Sequence, residues 1–165
     1  MSFKCEISEG HYHQIYEGPI RDGAYGGIKA SSVIYECSDC KVQRLREEDC
    51  IPDVFYQTGE YREFLKQSLE SKKAMKEQED LQDYTLEVLS PHSLKDSNIL
   101  DIGCGAGTLL NRLKNITLNQ IGIEPCLPYY ESLTRKGFKI YPSLKEAIKD
   151  QAPVADFGFS IAVIE

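Results

Sequence analysis

No stretch of this 165-residue chain approaches the roughly 18 consecutive apolar residues of a membrane-spanning helix, so no membrane span is expected. The first residues, MSFKCEISEGHYH, hold no apolar core and do not read as a secretory signal. The cytoplasm is therefore the expected compartment. Positive charge is also scarce: 19 Lys and Arg stand against 26 Asp and Glu, a formal net charge of -7. Polyanions such as nucleic acid or acidic lipid are disfavoured as non-specific partners by that balance. Internal repeats and low-complexity tracts are absent. Between 58 and 90 there is no proline, and no glycine after Gly59.

What is present is an ordinary globular composition, 41% hydrophobic and 27% charged, enough for one domain with a small appendage. Six cysteines in a reducing compartment read as buried thiols or metal ligands rather than as a disulfide framework. Three zones differ in texture. Residues 1–55 carry several glycines, four of the cysteines and one strand-like run, SSVIYEC at 31–37, and read as a small, loop-rich module. So short a module has little core, and a metal would stabilise it. Residues 56–94 form a helical linker. Tyr61, Phe64, Leu65 and Leu69 recur at helical spacing, and Leu81, Tyr84 and Val88 resume it, predicting one interrupted helix or two helices. The intervening SKKAMKEQED reads as a solvated face. Residues 95–165 alternate strand and helix: NILDIG, TLLNRLKN, QIGIEP, CLPYYESLTRKG, FKIY, SLKEAIKD with a Ser143–Glu146 capping box, and a closing apolar run ADFGFSIAVIE. That order predicts an α/β fold with a parallel sheet covered on both faces.

The segment SNILDIGCGAGTLLNRL, residues 97–113, joins a buried strand to a helix through Gly103, Gly105 and Gly107. A dinucleotide fingerprint would need a third glycine where Thr108 stands. It would also not place Asp101 at the mouth of the loop. A carboxylate a few ångströms from a diphosphate is repelled by roughly 1 to 4 kcal/mol. Beside a cation the sign reverses. Glu124, at the tip of the next strand and twenty-one residues beyond Gly103, can accept both hydroxyls of a ribose. A nucleoside with a positively charged tail meets these demands, and S-adenosylmethionine is such a molecule.

ILDIGCGAGTLL, IGIEPCLPYYESLTRKGF and ADFGFSIAVIE, in this order, resemble the class I S-adenosylmethionine-dependent methyltransferases. The resemblance covers about residues 95–165 and implies the first half of a Rossmann-like, doubly wound methyltransferase sheet. It implies that Asp101 and the loop at Gly103, Cys104, Gly105 and Gly107 hold the methionine moiety. Glu124 would bind the ribose, and Pro125 and Cys126 would border the adenine. The third block matches the family's strand-four pattern from Asp156 through Glu165. The family's sheet has seven strands and four are counted here, so the resemblance implies a truncated fragment that binds the cofactor weakly and turns over little. The competing readings are a nicotinamide-dependent oxidoreductase, which Asp101 and Thr108 disfavour, and a non-catalytic interaction protein built on the cysteine module.

In that module, Cys37-x-x-Cys40 has zinc-knuckle spacing. Cys5 begins a second such pair, but Ser8 stands where its second cysteine would be. Cys50, His11 and His13 are further candidates for a fourth ligand beside Cys5, Cys37 and Cys40, and the alternative is that the thiols merely pack. IYEGPIRDGAYGG and VIYECSDC resemble the zinc-ribbon-like segment preceding some bacterial methyltransferases. Such enzymes act on sugars, other small metabolites or cell-surface precursors, which implies a small-molecule substrate. FYQTGEYREFLK resembles their linker helix, in which Tyr56, Tyr61 and Arg62 would close over the cofactor; helix packing is the other reading of these three.

Overall fold

The computed structural model describes residues 4–22, 26–89, 93–161 and 163. The chain divides into two compact units, Met1–Asp53 and Val54–Glu165.

The first unit is a three-stranded antiparallel sheet in the order β1-β2-β3: β1 Tyr12–Arg21, β2 Ile28–Cys37 and β3 Gln43–Leu45. It is a long hairpin rather than the loop-rich module expected. β1 escapes sequence reading because its side chains are almost all exposed, so no alternation marks it. As an edge strand it tolerates Pro19, and its register slips between Gln14 and Tyr16 and again between Gly18 and Ile20. The central strand β2 buries Ser32, Val33 and Cys37. Asp49, at the end of a short 3-10 turn over Glu47–Asp49, anchors this sheet. Its carboxylate accepts the Val33 N–H at 2.9 Å and meets Arg46 Nε at 3.0 Å and Lys29 Nζ at 3.7 Å.

The second unit opens with four short helices: α1 Asp53–Gln57, α2 Glu60–Phe64, α3 Ser71–Glu77 and α4 Glu79–Leu89. Sequence periodicity suggested one or two. The extra breaks fall at Gly59 and at Lys66, which takes a left-handed φ of 58° that its residue type does not advertise. The apolar positions Leu81, Tyr84 and Val88 face outward, and Gln82 and Thr85 are buried in their place.

A four-stranded parallel sheet follows, in the order β6-β5-β4-β7, with β4 Asn98–Ile102, β5 Asn119–Ile123, β6 Lys139–Tyr141 and β7 Phe157–Ser160. Its connecting helices are α5 Thr108–Leu113, α6 Leu127–Arg135 and α7 Leu144–Lys149. Two of their ends have a clear local cause. Ser143 caps α7 by accepting the Glu146 N–H at 3.2 Å, and Gly137 turns the chain out of α6 with φ 84°. Alternation along β4 divides the core. Ile99 packs with Leu109, Leu110, Leu113, Leu133 and Ile140 on one face. Leu100 and Ile102 pack with Ile121, Ile123, Tyr141 and Ala147 on the other. Asp101 sits on the Ile99 side, opposite Gly122 of β5 and Phe159 of β7.

The closing strand is shorter than its apolar run suggested. β7 ends at Ser160, and Ala162, Ile164 and Glu165 of that run lie outside the described residues. At its start, Asp156 accepts the Asn98 N–H at 2.8 Å and returns its own N–H to Asn98 O at 2.8 Å, which fixes the β4–β7 register. The strand order leaves the outer edge of β7 without a strand partner among the described residues. No described helix is long and apolar enough to cross a membrane.

Candidate functional site

The second unit places its chemistry where β4 and β5 end. Connections run from β4 to β5 to β6 in one direction and then return to β7 on the other side of β4. The loop after β4 therefore stands at the point where the winding reverses, the usual ligand crevice of open α/β sheets. Gly103, Gly105 and Gly107 adopt φ values of 74°, 56° and 80°, a region that only glycine enters at low cost. Their alternate spacing is thereby explained by backbone geometry. Gly107 has a second reason, since a Cβ there would collide with the Leu133 side chain of α6. A Cβ on Gly103 would collide with Val163.

The loop amides are engaged within the chain. Gly103 and Cys104 N–H both donate to Ile123 O, at 2.8 and 3.1 Å. Gly105 N–H donates to Glu124 Oε2 at 2.7 Å, and Cys126 N–H to Glu124 Oε1 at 2.8 Å. Glu124 is thus drawn into the cradle and is only 1% exposed. Asp101 is 5% exposed, and its carboxylate has no hydrogen-bond partner among the described residues. Burial, and then the charge of Glu124, push the Asp101 carboxyl up to about 7. Glu124 is raised too: burial outweighs its two amide donors and the Arg62 charge.

Cys104 and Cys126 are packing thiols. Cys104 Sγ lies against Gly122, where a Cβ would come within 2.7 Å of it. Burial and the Asp101 charge hold its thiol well above the ordinary range, so a nucleophilic thiolate is disfavoured. Cys126 is the residue preceding α6, and burial raises its thiol as well. Pro125 lies half-buried between Glu124 and Cys126.

The helical segment packs over the loop at Gly105 and brings the Arg62 charge to bear on Glu124. Arg62 of α2 stacks over Tyr61 and Tyr129, its guanidinium carbon 4.4 and 5.5 Å from the ring centroids, and its Nη1 donates to Gln67 Oε1 at 2.7 Å. Arg62 Nη2 and Gln78 Nε2 lie 3.5 and 3.1 Å from where a Cβ of Gly105 would be. Thr108 Oγ1 donates to Gln78 Oε1 at 3.2 Å. Gln78 lies within the charged run SKKAMKEQED, whose composition predicts a solvated face. Its signal was a stripe of uncharged residues at helical spacing, Ala74, Gln78, Gln82 and Thr85, through otherwise charged sequence. Beside this cover, an open groove of about 420 Å³ is lined by Leu69, Ser71, Leu127, Pro128, Glu131, Ser132 and Arg135. None of the acid pair or the loop glycines lines it.

The first unit holds a separate cluster. Cys5, Cys37 and Cys40 bring their sulfurs within 4.8 Å of one another, a group that could hold a metal ion. Cys50, His11 and His13 do not join them. Cys50 is instead exposed, with its thiol 3.6 Å from Arg46 O. Tyr12 Oη donates to Cys5 Sγ at 3.5 Å, and the Ser8 hydroxyl lies 3.3 Å from Cys37 Sγ. These contacts act on the thiols in the expected direction. The Tyr12 hydroxyl and nearby backbone amides bring Cys5 down to about 6, and Ser8 lowers Cys37.

No protein-family model matches the chain, and no curated protein matches it.

Proposed function

We propose that the second unit is the cofactor-binding part of a Rossmann-like, class I S-adenosylmethionine-dependent methyltransferase. Its acceptor would be a small molecule, such as a sugar, another small metabolite or a cell-surface precursor. The observation that carries this reading is the buried pair Asp101 and Glu124, at the ends of adjacent parallel strands. Two carboxylates buried together destabilise the free protein, and the Arg62 charge acting on Glu124 offsets only part of that cost. A sulfonium nucleoside with an ammonium group relieves that cost, and a pyrophosphate would increase it. The strand order supports the same reading, because β6-β5-β4-β7 has the 3-2-1-4 arrangement of nucleotide-binding halves.

The residues fit the group. A carboxylate offers about four lone-pair sites. Glu124 uses one on each oxygen for Gly105 and Cys126. The other two suffice for a pair of ribose hydroxyls. The Asp101 carboxylate, with no hydrogen-bond partner among the described residues, is available to an ammonium group. Pro125 and Cys126 would border the base, with the apolar side of the neighbouring groove, Leu69, Leu127 and Pro128, next along the chain's surface. When bound, the sulfonium supplies an electrophilic methyl group. The chain's own work is to orient it: Asp101 would hold the tail and Glu124 the ribose, beside the Arg62 and Gln78 side chains that lie over Gly105. In the first unit, we read Cys5, Cys37 and Cys40 as ligands of a structural zinc ion.

Isothermal titration of the chain with S-adenosylmethionine, S-adenosylhomocysteine and NADH tests the cofactor reading. Binding of the first two without NADH is expected. NADH uptake with silence from both sulfur nucleosides would overturn it.

A further inference from the structure

Ser8 has no place in a pattern that counts thiols, yet the backbone treats it as the equivalent of Cys40. Two turns supply the sulfur cluster, and they share one hydrogen-bonding plan. In the first, Cys5 N–H donates to Gly10 O at 2.7 Å and Glu9 N–H to Cys5 O at 2.9 Å. In the second, Cys37 N–H donates to Val42 O at 3.0 Å and Lys41 N–H to Cys37 O at 3.2 Å. Glu9 and Lys41, neither of them glycine, take the same left-handed φ, 60° and 61°. Aligned on these bonds, Cys5 matches Cys37, Glu9 matches Lys41 and Ser8 matches Cys40. Two copies of one turn, facing each other, offer four side chains to a common centre. Three are thiols and the fourth is a hydroxyl.

The separations agree. A tetrahedral metal with bonds of about 2.3 Å to sulfur and 2.0 Å to oxygen sets edges of about 3.8 Å between sulfurs and about 3.5 Å from sulfur to oxygen. Cys5 Sγ lies 3.6 Å from Cys40 Sγ, and Ser8 Oγ lies 3.3 Å from Cys37 Sγ. Gly10 makes room for the arrangement, since a Cβ there would come within 2.8 Å of Cys37 Sγ. The residues that sequence alone offered as a fourth ligand, Cys50, His11 and His13, lie outside the group. Tyr12, donating to Cys5, supports a ligand from outside the centre.

We propose that Ser8 supplies the fourth vertex of this site, giving three thiolates and one hydroxyl oxygen around the metal. This rests on reading the cysteine cluster as a metal centre. A neutral hydroxyl is a weaker donor to a borderline-soft ion than a thiolate. The Ser8 vertex is accordingly the exchangeable one, open to water or a small thiol, and the ion is held less tightly than in a four-cysteine ribbon. The site is a labile relative of a structural zinc centre, with one position at which an outside ligand can bind.

Titration of the full chain with cobalt(II) tests this, read by the thiolate-to-cobalt charge-transfer band and the visible bands of the tetrahedral ion. The wild-type chain takes up one equivalent. Ser8→Cys binds at least tenfold tighter, and its charge-transfer intensity rises by about one third, the step from three thiolates to four. Ser8→Ala keeps the three-thiolate intensity and binds a few-fold more weakly, water taking the vertex. If wild type binds cobalt but Ser8→Cys changes neither affinity nor intensity, Ser8 does not face the metal and the proposal falls while the metal centre stands. Uptake by Ser8→Cys alone overturns the proposal, because the natural hydroxyl then fails to serve. Uptake by neither chain overturns the metal reading itself.

Discussion

The two units gather acidic groups in opposite ways. In the first, hydrogen-bond donors surround the thiols: Tyr12 and backbone amides lower Cys5, and Ser8 lowers Cys37. In the second, burial dominates, and both Asp101 and Glu124 are raised. A donor-rich cluster is prepared to be anionic and to hold a cation as a ligand set. A desolvated acid pair, only partly offset by the Arg62 charge, resists ionisation until a further cation arrives. Two sites that both call for positive charge therefore differ in what they do without it: the first is already tuned, and the second stores unfavourable free energy that a ligand can release.

The largest expected effect comes from removing a ligand on the first side of that contrast. Cys37→Ser, at a fully buried position shared by β2 and the second turn, should reduce cobalt uptake by more than a hundredfold, as read by the charge-transfer band. Retained uptake would mean that the cluster merely packs.

On the second side, Asp101→Asn removes the charge and keeps the shape. S-adenosylmethionine affinity should fall about 10- to 100-fold, one to two factors of about 1.4 kcal/mol. The same change should raise the thermal midpoint at neutral pH, because the free protein no longer holds a disfavoured carboxylate. A variant that loses both binding and stability would argue for a structural role instead.

The pH response should separate the units. Asp101 has a folded pKa of about 7, above its ordinary 3.8. The folded state therefore binds more protons in that window, and acidification from about pH 7 towards 4 should stabilise the second unit by a few kcal/mol at most. Asp49 behaves in the opposite sense. The Val33 amide, with Arg46 and Lys29 behind it, lowers its carboxyl. Its contribution is present above the ordinary carboxylate range and is lost as pH falls through the lowered value. Hydrogen exchange at pH 7 and pH 5, read separately over β2 and β4, should show β4 amides slowing relative to their intrinsic rates at pH 5. Affinity for the sulfonium ligand should rise about tenfold between pH 5.5 and 7.5, with proton release on binding.

The scaffold is tested by stability rather than by binding. Gly107→Ala places a Cβ at φ 80° against Leu133 and should cost about 2–4 kcal/mol in denaturant unfolding without altering the charge of the site.

Much of the second unit was legible because its determinants are local. Strand β4, the three glycines and the Ser143 cap are each set by residues within a few positions, so pattern and propensity suffice. Asp101 stood out as a charge in an otherwise apolar strand. Gln78 did not, since its role depends on tertiary packing over Gly105 and its neighbours in sequence are charged. The hairpin strand β1 was missed because both its faces are largely exposed, leaving no period to detect. Lys66 breaks the linker through a left-handed turn that no glycine announces. Motif spacing counts side chains and passes over Ser8, whereas the turn that places it is made of backbone hydrogen bonds.

Carboxyl-carbon NMR of Asp101, titrated with and without S-adenosylmethionine, gives the most direct test of the cation-seeking acid pair. The free chain should show a midpoint near 7, falling into the ordinary carboxylate range when the ligand is present. An ordinary midpoint in the free chain, or a raised one that the ligand leaves in place, would contradict it.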